Sequence, residues 1–179
     1  MRRAFLALDL PEAVEQALRM QHFLLPLPRR VHSFHLTLAF LGEQPEAVLR
    51  AAHEALCDLR IAPFSLFLQG LGLFGGTRPR AAWAGVAPSD ALTHLQTRAE
   101  TAIRRSGCPV AARRFVPHVT LGRFPPPKGA DLMRLERAVA AGQGFATAPF
   151  EVAEMVLYES HLAAKGPRYH ALARYPFNA

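Results

Sequence analysis

The chain has 179 residues, half of them hydrophobic and 20% charged, which suits one packed domain or two small lobes and excludes a disordered chain. Two cysteines, Cys57 and Cys108, exclude a disulfide framework, and no CxxC or Cys/His cluster offers structural zinc. The net charge is +7 and 19 of the 21 basic residues are arginines, which favours an anionic partner, although arginine-rich codon usage produces the same ratio.

No apolar run reaches the roughly 18 residues of a membrane span. Arg2-Arg3 followed by five apolar residues imitates a signal peptide, but Asp9 and Pro11 end the run early. The expectation is a cytoplasmic protein without a membrane partner.

In chain order, residues 2–9 read as a strand. Pro11 opens a helix with Glu12 and Glu15 in its first turn, favourable at the positive end of the helix dipole, and Pro26 and Pro28 end it near residue 25. Residues 34–41 alternate as a strand closed by Gly42. Pro45 opens a second helix to about residue 59. Residues 63–74 and 80–87 read as strands joined by a glycine-rich turn. Ser89 or Asp90 caps a helix over 90–106, ended by Gly107 and Pro109. Residues 116–124 form another strand, 131–141 a fourth helix, and 149–159 with 168–175 a final strand pair. No linker divides the chain, so the order implies an α+β fold over 1–179.

One motif occurs twice. His35-Leu36-Thr37-Leu38 is repeated as His118-Val119-Thr120-Leu121, both in strand-like segments. Eight histidines and seven threonines predict roughly 0.3 His-x-Thr triplets by chance, so the pair points to an internal duplication. Side chains alternate across a strand, so each His and its Thr share a face, about 7 Å apart. If two lobes are related by a pseudo-twofold, both pairs face one cleft.

Two opposed histidines suit acid–base attack at phosphorus. One neutral imidazole takes a proton from the attacking oxygen, and the other, protonated, gives one to the leaving oxygen. Threonine hydroxyls can donate to the non-bridging phosphate oxygens. A two-histidine metal site lacks an Asp or Glu on the same faces, so no metal and no cofactor is expected.

Phe34-His35-Leu36-Thr37-Leu38-Ala39-Phe40-Leu41-Gly42 and Phe115-Val116-Pro117-His118-Val119-Thr120-Leu121-Gly122-Arg123 resemble the two signature motifs of the 2H phosphoesterase superfamily. Within it they are most similar to the RNA 2′,3′-cyclic phosphodiesterases, also called 2′-5′ RNA ligases. The segments 3–9, 82–86, 156–160 and 166–169 resemble further strands of that family. The resemblance implies two pseudo-symmetric lobes, each an antiparallel sheet with helices on its outer face, and an active-site cleft between them. It implies metal-independent hydrolysis of a terminal 2′,3′-cyclic phosphate to a 2′-phosphate, with reverse 2′-5′ joining possible. By that resemblance His35 is the proton donor, His118 the acceptor, and Thr37 and Thr120 hold the phosphate.

Arg123 matches a basic family position, but five residues from His118 it falls on the opposite face of an ideal strand unless a bulge at Gly122 or the strand end before Pro125 redirects it. Arg29-Arg30 and Arg113-Arg114 precede the two motif strands in parallel positions and are expected to rim the cleft. Phe40, Phe124 and Tyr169 offer rings for a base, but the alternation assigns Phe40 to the apolar core face. The expected partner is RNA with a 2′,3′-cyclic phosphate end, acted on by a monomer. The alternatives are a 2H phosphoesterase for another cyclic nucleotide or oligonucleotide, and a non-catalytic RNA-binding module.

Overall fold

The computed structural model describes residues 1–26, 31, 33–111, 113–162 and 166–178. Arg29 and Arg30 lie outside them. The elements run β1 (Arg2–Leu8), α1 (Glu12–Leu24), β2 (Leu36–Gln44), α2 (Glu46–Cys57), β3 (Phe64–Leu66), β4 (Leu68–Phe74), β5 (Ala81–Val86), α3 (Asp90–Arg105), β6 (His118–Arg123), α4 (Gly129–Ala141), β7 (Phe150–Val152), β8 (Glu154–His161) and β9 (Arg168–Pro176). The α+β arrangement of antiparallel strands and helices agrees with the sequence reading.

Seven strands form one antiparallel sheet in the order β4-β5-β6-β2-β1-β8-β9. The two expected sheets are its two wings. They join between β2 and β6 at a single residue pair, Leu36 with Val119. The helices tie the wings more firmly than that pair does. Helix α1 packs on β6 and α3 on β2, so each wing's helix reaches a central strand of the other. Ser89 caps α3, its Oγ accepting from the Leu92 N–H at 3.2 Å.

The helix side of the sheet is the core. Leu6, Leu8, Leu36, Leu38, Ala82, Ala84, Val119 and Leu121 are buried there with Leu18, Leu56, Leu95 and Ile103 of the helices. Two runs read as single strands are each divided. Residues 63–74 break at Phe67, and residues 149–159 break at Ala153. The short pieces β3 and β7 leave the main sheet and pair with each other. The glycine-rich stretch is also divided. Gly75 and Gly76 turn the hairpin with φ of +118° and +56°, while Gly72 lies within β4. A Cβ on Gly72 would stand 2.2 Å from the Trp83 ring, so only glycine lets that indole lie over β4.

Candidate active site

Leu36 and Val119 are fully buried on the helix side of the central pair. Their neighbours in sequence therefore point to the opposite face. Extending the antiparallel pairing by one residue each way sets His35 beside Thr120 and Thr37 beside His118. The pseudo-twofold thus passes through the Leu36–Val119 pair, and four polar side chains meet on one half-buried patch. Directly opposed residues stand about 5 Å apart at Cβ, close enough for one phosphate to touch all four.

Each histidine stands between two aromatic walls. His35 lies 4.9 Å from Phe5 and 5.1 Å, edge-on, from Tyr169 between ring centroids. His118 lies 4.8 Å from Phe74 and 6.5 Å from Trp83. Tyr169 is therefore in the site.

Bulges decide what else faces the patch. On β6, Thr120 pairs with Trp83 and Gly122 with Ala82, leaving Leu121 as an extra residue. That shift returns Arg123 to the face of His118 and Thr120. On β2, Thr37 pairs with Ala7 and Ala39 with Leu6, leaving Leu38 extra. The next residue, Phe40, pairs with Phe5 and lies on the same face as Thr37. Phe40 is 56% exposed and 6.2 Å from the Phe5 ring, which corrects its assignment to the core. The bulge after each threonine makes Phe40 and Arg123 counterparts about the pseudo-twofold.

The polar surroundings differ between the wings. The His118 Nδ1–H donates to the Val116 carbonyl at 2.7 Å, which leaves Nε2 with its lone pair toward the patch. Burial lowers the His118 pKa from the usual 6.5, the Val116 carbonyl opposes this, and Arg123 lowers it further. Burial pushes the His35 pKa down to about 4, with Asp9 opposing and His118 and Arg123 adding to the fall. Both imidazoles and Arg123 thus share one electrostatic site. Burial raises the Tyr169 pKa, against the cations Arg123 and Arg3.

Asp9 follows directly on β1. Its Oδ1 accepts from the Tyr158 hydroxyl at 2.6 Å and its Oδ2 from Arg174 at 3.1 Å. Arg174 also bonds Glu154. Asp9, Arg3, Phe5, Trp83 and Phe74 are not among the site residues expected from the sequence. For β1 a signal was present, because Arg3, Phe5, Ala7 and Asp9 alternate on one face.

Arg113 and Arg114 are exposed on the segment leading into β6, and no hydrogen bond or ion pair among the described residues ties them to the patch. Phe124 is buried in the core, at 9% exposure. Among the described residues, no group of three or more His, Cys, Asp or Glu could hold a metal ion, and no helix is long and apolar enough to cross a membrane.

Comparison with known proteins places this arrangement. A model of the 2′-5′ RNA ligase superfamily matches residues 9–163. The chain belongs to the 2′-5′ RNA ligase superfamily. Several relatives carry the name RNA 2′,3′-cyclic phosphodiesterase. That of Geobacillus stearothermophilus is 36% identical over 85% of this chain, which spans 48% of that relative's length. That of Escherichia coli K12 is 32% identical, with 97% of this chain and 95% of the relative covered. Among solved structures, apo E. coli LigT superposes with a TM-score of 0.77 at 28% identity, covering 99% and 98% of the two chains. TT0787 of Thermus thermophilus gives a TM-score of 0.79 at 28% identity, covering 98% and 97%. Superfamily membership thus rests on nearly the whole fold, both wings included.

Proposed function

We propose that this chain is an RNA 2′,3′-cyclic phosphodiesterase, opening a terminal 2′,3′-cyclic phosphate to a 2′-phosphate by two-histidine acid–base catalysis. The observation that carries this reading is the meeting of His35, Thr37, His118 and Thr120 on one accessible patch across the Leu36–Val119 pair. The names of the full-length relatives support the same substrate.

His118 suits the base. Its tautomer is held by the Val116 carbonyl, so Nε2 accepts the proton of the attacking water. Water oxygen bonds to phosphorus, the bond from phosphorus to the 3′ oxygen breaks, and His35 delivers its proton to that oxygen. The products are a 2′-phosphomonoester and a free 3′ hydroxyl. Thr37 and Thr120 donate to the non-bridging oxygens, and Arg123 balances the charge that grows on them. With a 5′ hydroxyl in place of water, the same step joins it through phosphorus to the 2′ position: His118 takes the hydroxyl proton, the bond to the 3′ oxygen breaks, and His35 protonates that oxygen.

Arg3, Arg123 and Tyr169 receive the nucleotide next to the cyclic end. Arg113, Arg114 and the pair Arg29-Arg30 reach more distant backbone phosphates. We read residues 1–179 as one bilobal unit that acts as a monomer in the cytoplasm, without a metal ion.

The deciding experiment is product analysis on an oligonucleotide with a 2′,3′-cyclic end, in the presence of EDTA. The expected product carries a 2′-phosphate. A 3′-phosphate product, or RNA binding without turnover, overturns the reading.

A further inference from the structure

His118 has a backbone carbonyl to hold its ring; His35 has no hydrogen-bond partner among the described residues, only the rings of Phe5 and Tyr169. An acid in such a place needs a nearby negative charge to retain its proton before the substrate takes it. Leu8 of β1 pairs with Leu36, so the next step along both strands sets Asp9 beside His35. Ala7 pairs with Thr37, which puts Asp9 on the same face of the sheet.

Both carboxylate oxygens of Asp9 are already engaged, Oδ1 by the Tyr158 hydroxyl and Oδ2 by Arg174. These bonds come from β8 and β9, so the carboxylate is fixed from two neighbouring strands. It makes no ion pair with His35 and acts on it as a fixed charge. The other groups facing His35 are Arg123 and His118 of β6, both of which oppose its protonation, and the hydroxyl-bearing ring of Tyr169 of β9. Among the described residues, Asp9 is the anion that raises the His35 pKa.

We propose that Asp9, clamped by Tyr158 and Arg174, is a positioning residue whose fixed charge favours the protonated form of His35 that delivers to the leaving oxygen. This rests on the reading of His35 as the acid. Arg174 tempers the Asp9 charge, and Glu154 on its other side shares that cation. Removal of the carboxylate and removal of the cation therefore act on His35 in opposite directions.

The test uses the whole chain, with histidine side-chain NMR titration and the pH profile of kcat/KM on a cyclic-ended oligonucleotide. In Asp9→Asn, His35 is expected to titrate at lower pH and kcat/KM to fall about tenfold. In Arg174→Gln, whose side chain is half exposed, His35 is expected to titrate at higher pH. His118 should hold its position in both. A merely loosened structure moves both variants the same way, which overturns the proposal, as does an unmoved His35 in folded Asp9→Asn. If Asp9→Asn fails to fold, Arg174→Gln decides alone, and the absence of an upward move overturns the proposal. The titration reads the coupling without turnover; full activity in His35→Ala would instead remove the acid reading on which it rests.

Discussion

His35 and His118 occupy equivalent places on two wings of one sheet, yet each wing equips its histidine differently. On the β6 wing the Val116 carbonyl fixes the imidazole tautomer, and the residue past the bulge is Arg123. On the β2 wing the ring is packed between Phe5 and Tyr169, Asp9 supplies a charge, and the residue past the bulge is Phe40. The repeat thus supplies two like groups in unlike surroundings: one imidazole is bonded to a carbonyl, and the other stands near a carboxylate, a difference that fits the proposed roles of base and acid. The same division gives the patch a cationic end at Arg123 and an aromatic end at Phe40.

The strongest way to break the comparison is to delete either histidine. His35→Ala and His118→Ala are each expected to lower kcat by about a thousandfold, the scale of positioned acid–base groups. Both should keep the native circular dichroism spectrum, because both rings lie on the face away from the core. Full turnover in either variant would sink the two-histidine mechanism.

Removing the cationic end comes next. Arg123→Ala is expected to lower kcat/KM about a hundredfold, through loss of a charged contact to the phosphate as its charge develops. Arg123→Lys should restore only part of this, because an ammonium lacks the planar fork. An Arg123→Ala enzyme with unchanged kcat/KM would return the arginine to the solvated surface.

The pH profile sharpens the division of roles. On the proposed mechanism the reactive free enzyme carries a proton on His35 and none on His118. Burial lowers His35 to about 4, so this proton is lost as pH rises above that range. His118 is also lowered below the usual 6.5, so the base is lost only on the acid side of that value. The kcat/KM bell is therefore expected to peak below pH 6.5. A maximum above neutrality would contradict it.

Much of this was legible in the sequence, and the exceptions share a physical cause. The repeated His-x-Thr and strict strand parity put four polar groups on one face, because parity is dictated by backbone geometry. Bulges interrupt that parity. Leu38 and Leu121 each add a residue opposite a continuous partner strand, and nothing in Leu-Ala-Phe-Leu shows where the phase slips. Arg123 was suspected of benefiting from such a slip, because its charge is costly on a core face. Phe40 raised no conflict, because an aromatic ring suits a core equally well. The breaks at Phe67 and Ala153 were hidden for a similar reason, since neither glycine nor proline marks them. Asp9 lay at a strand end beside Pro11, where an acidic residue reads as ordinary helix entry.

The smallest expected effect tests the aromatic end. Phe40 is exposed because the bulge turns it from the core, and Phe5 supports it from beneath. The exposed ring lies on the same face as Thr37, where a bound nucleotide can cover it. A nucleobase is a fitting cover, and base–aromatic stacking contributes about 1–3 kcal/mol. Phe40→Ala is therefore expected to raise KM about tenfold with kcat nearly unchanged, more for a purine than a pyrimidine at the cyclic end. Stability should barely move, since little core is lost. A fall in melting temperature with unaltered KM would mean instead that the ring covers Phe5 for the fold's sake. The symmetry-related change offers a sharper contrast. Arg123→Phe makes the two ends alike, and it should lose the phosphate contact without gaining a second base site, because the wall on that wing is Trp83, held flat over Gly72.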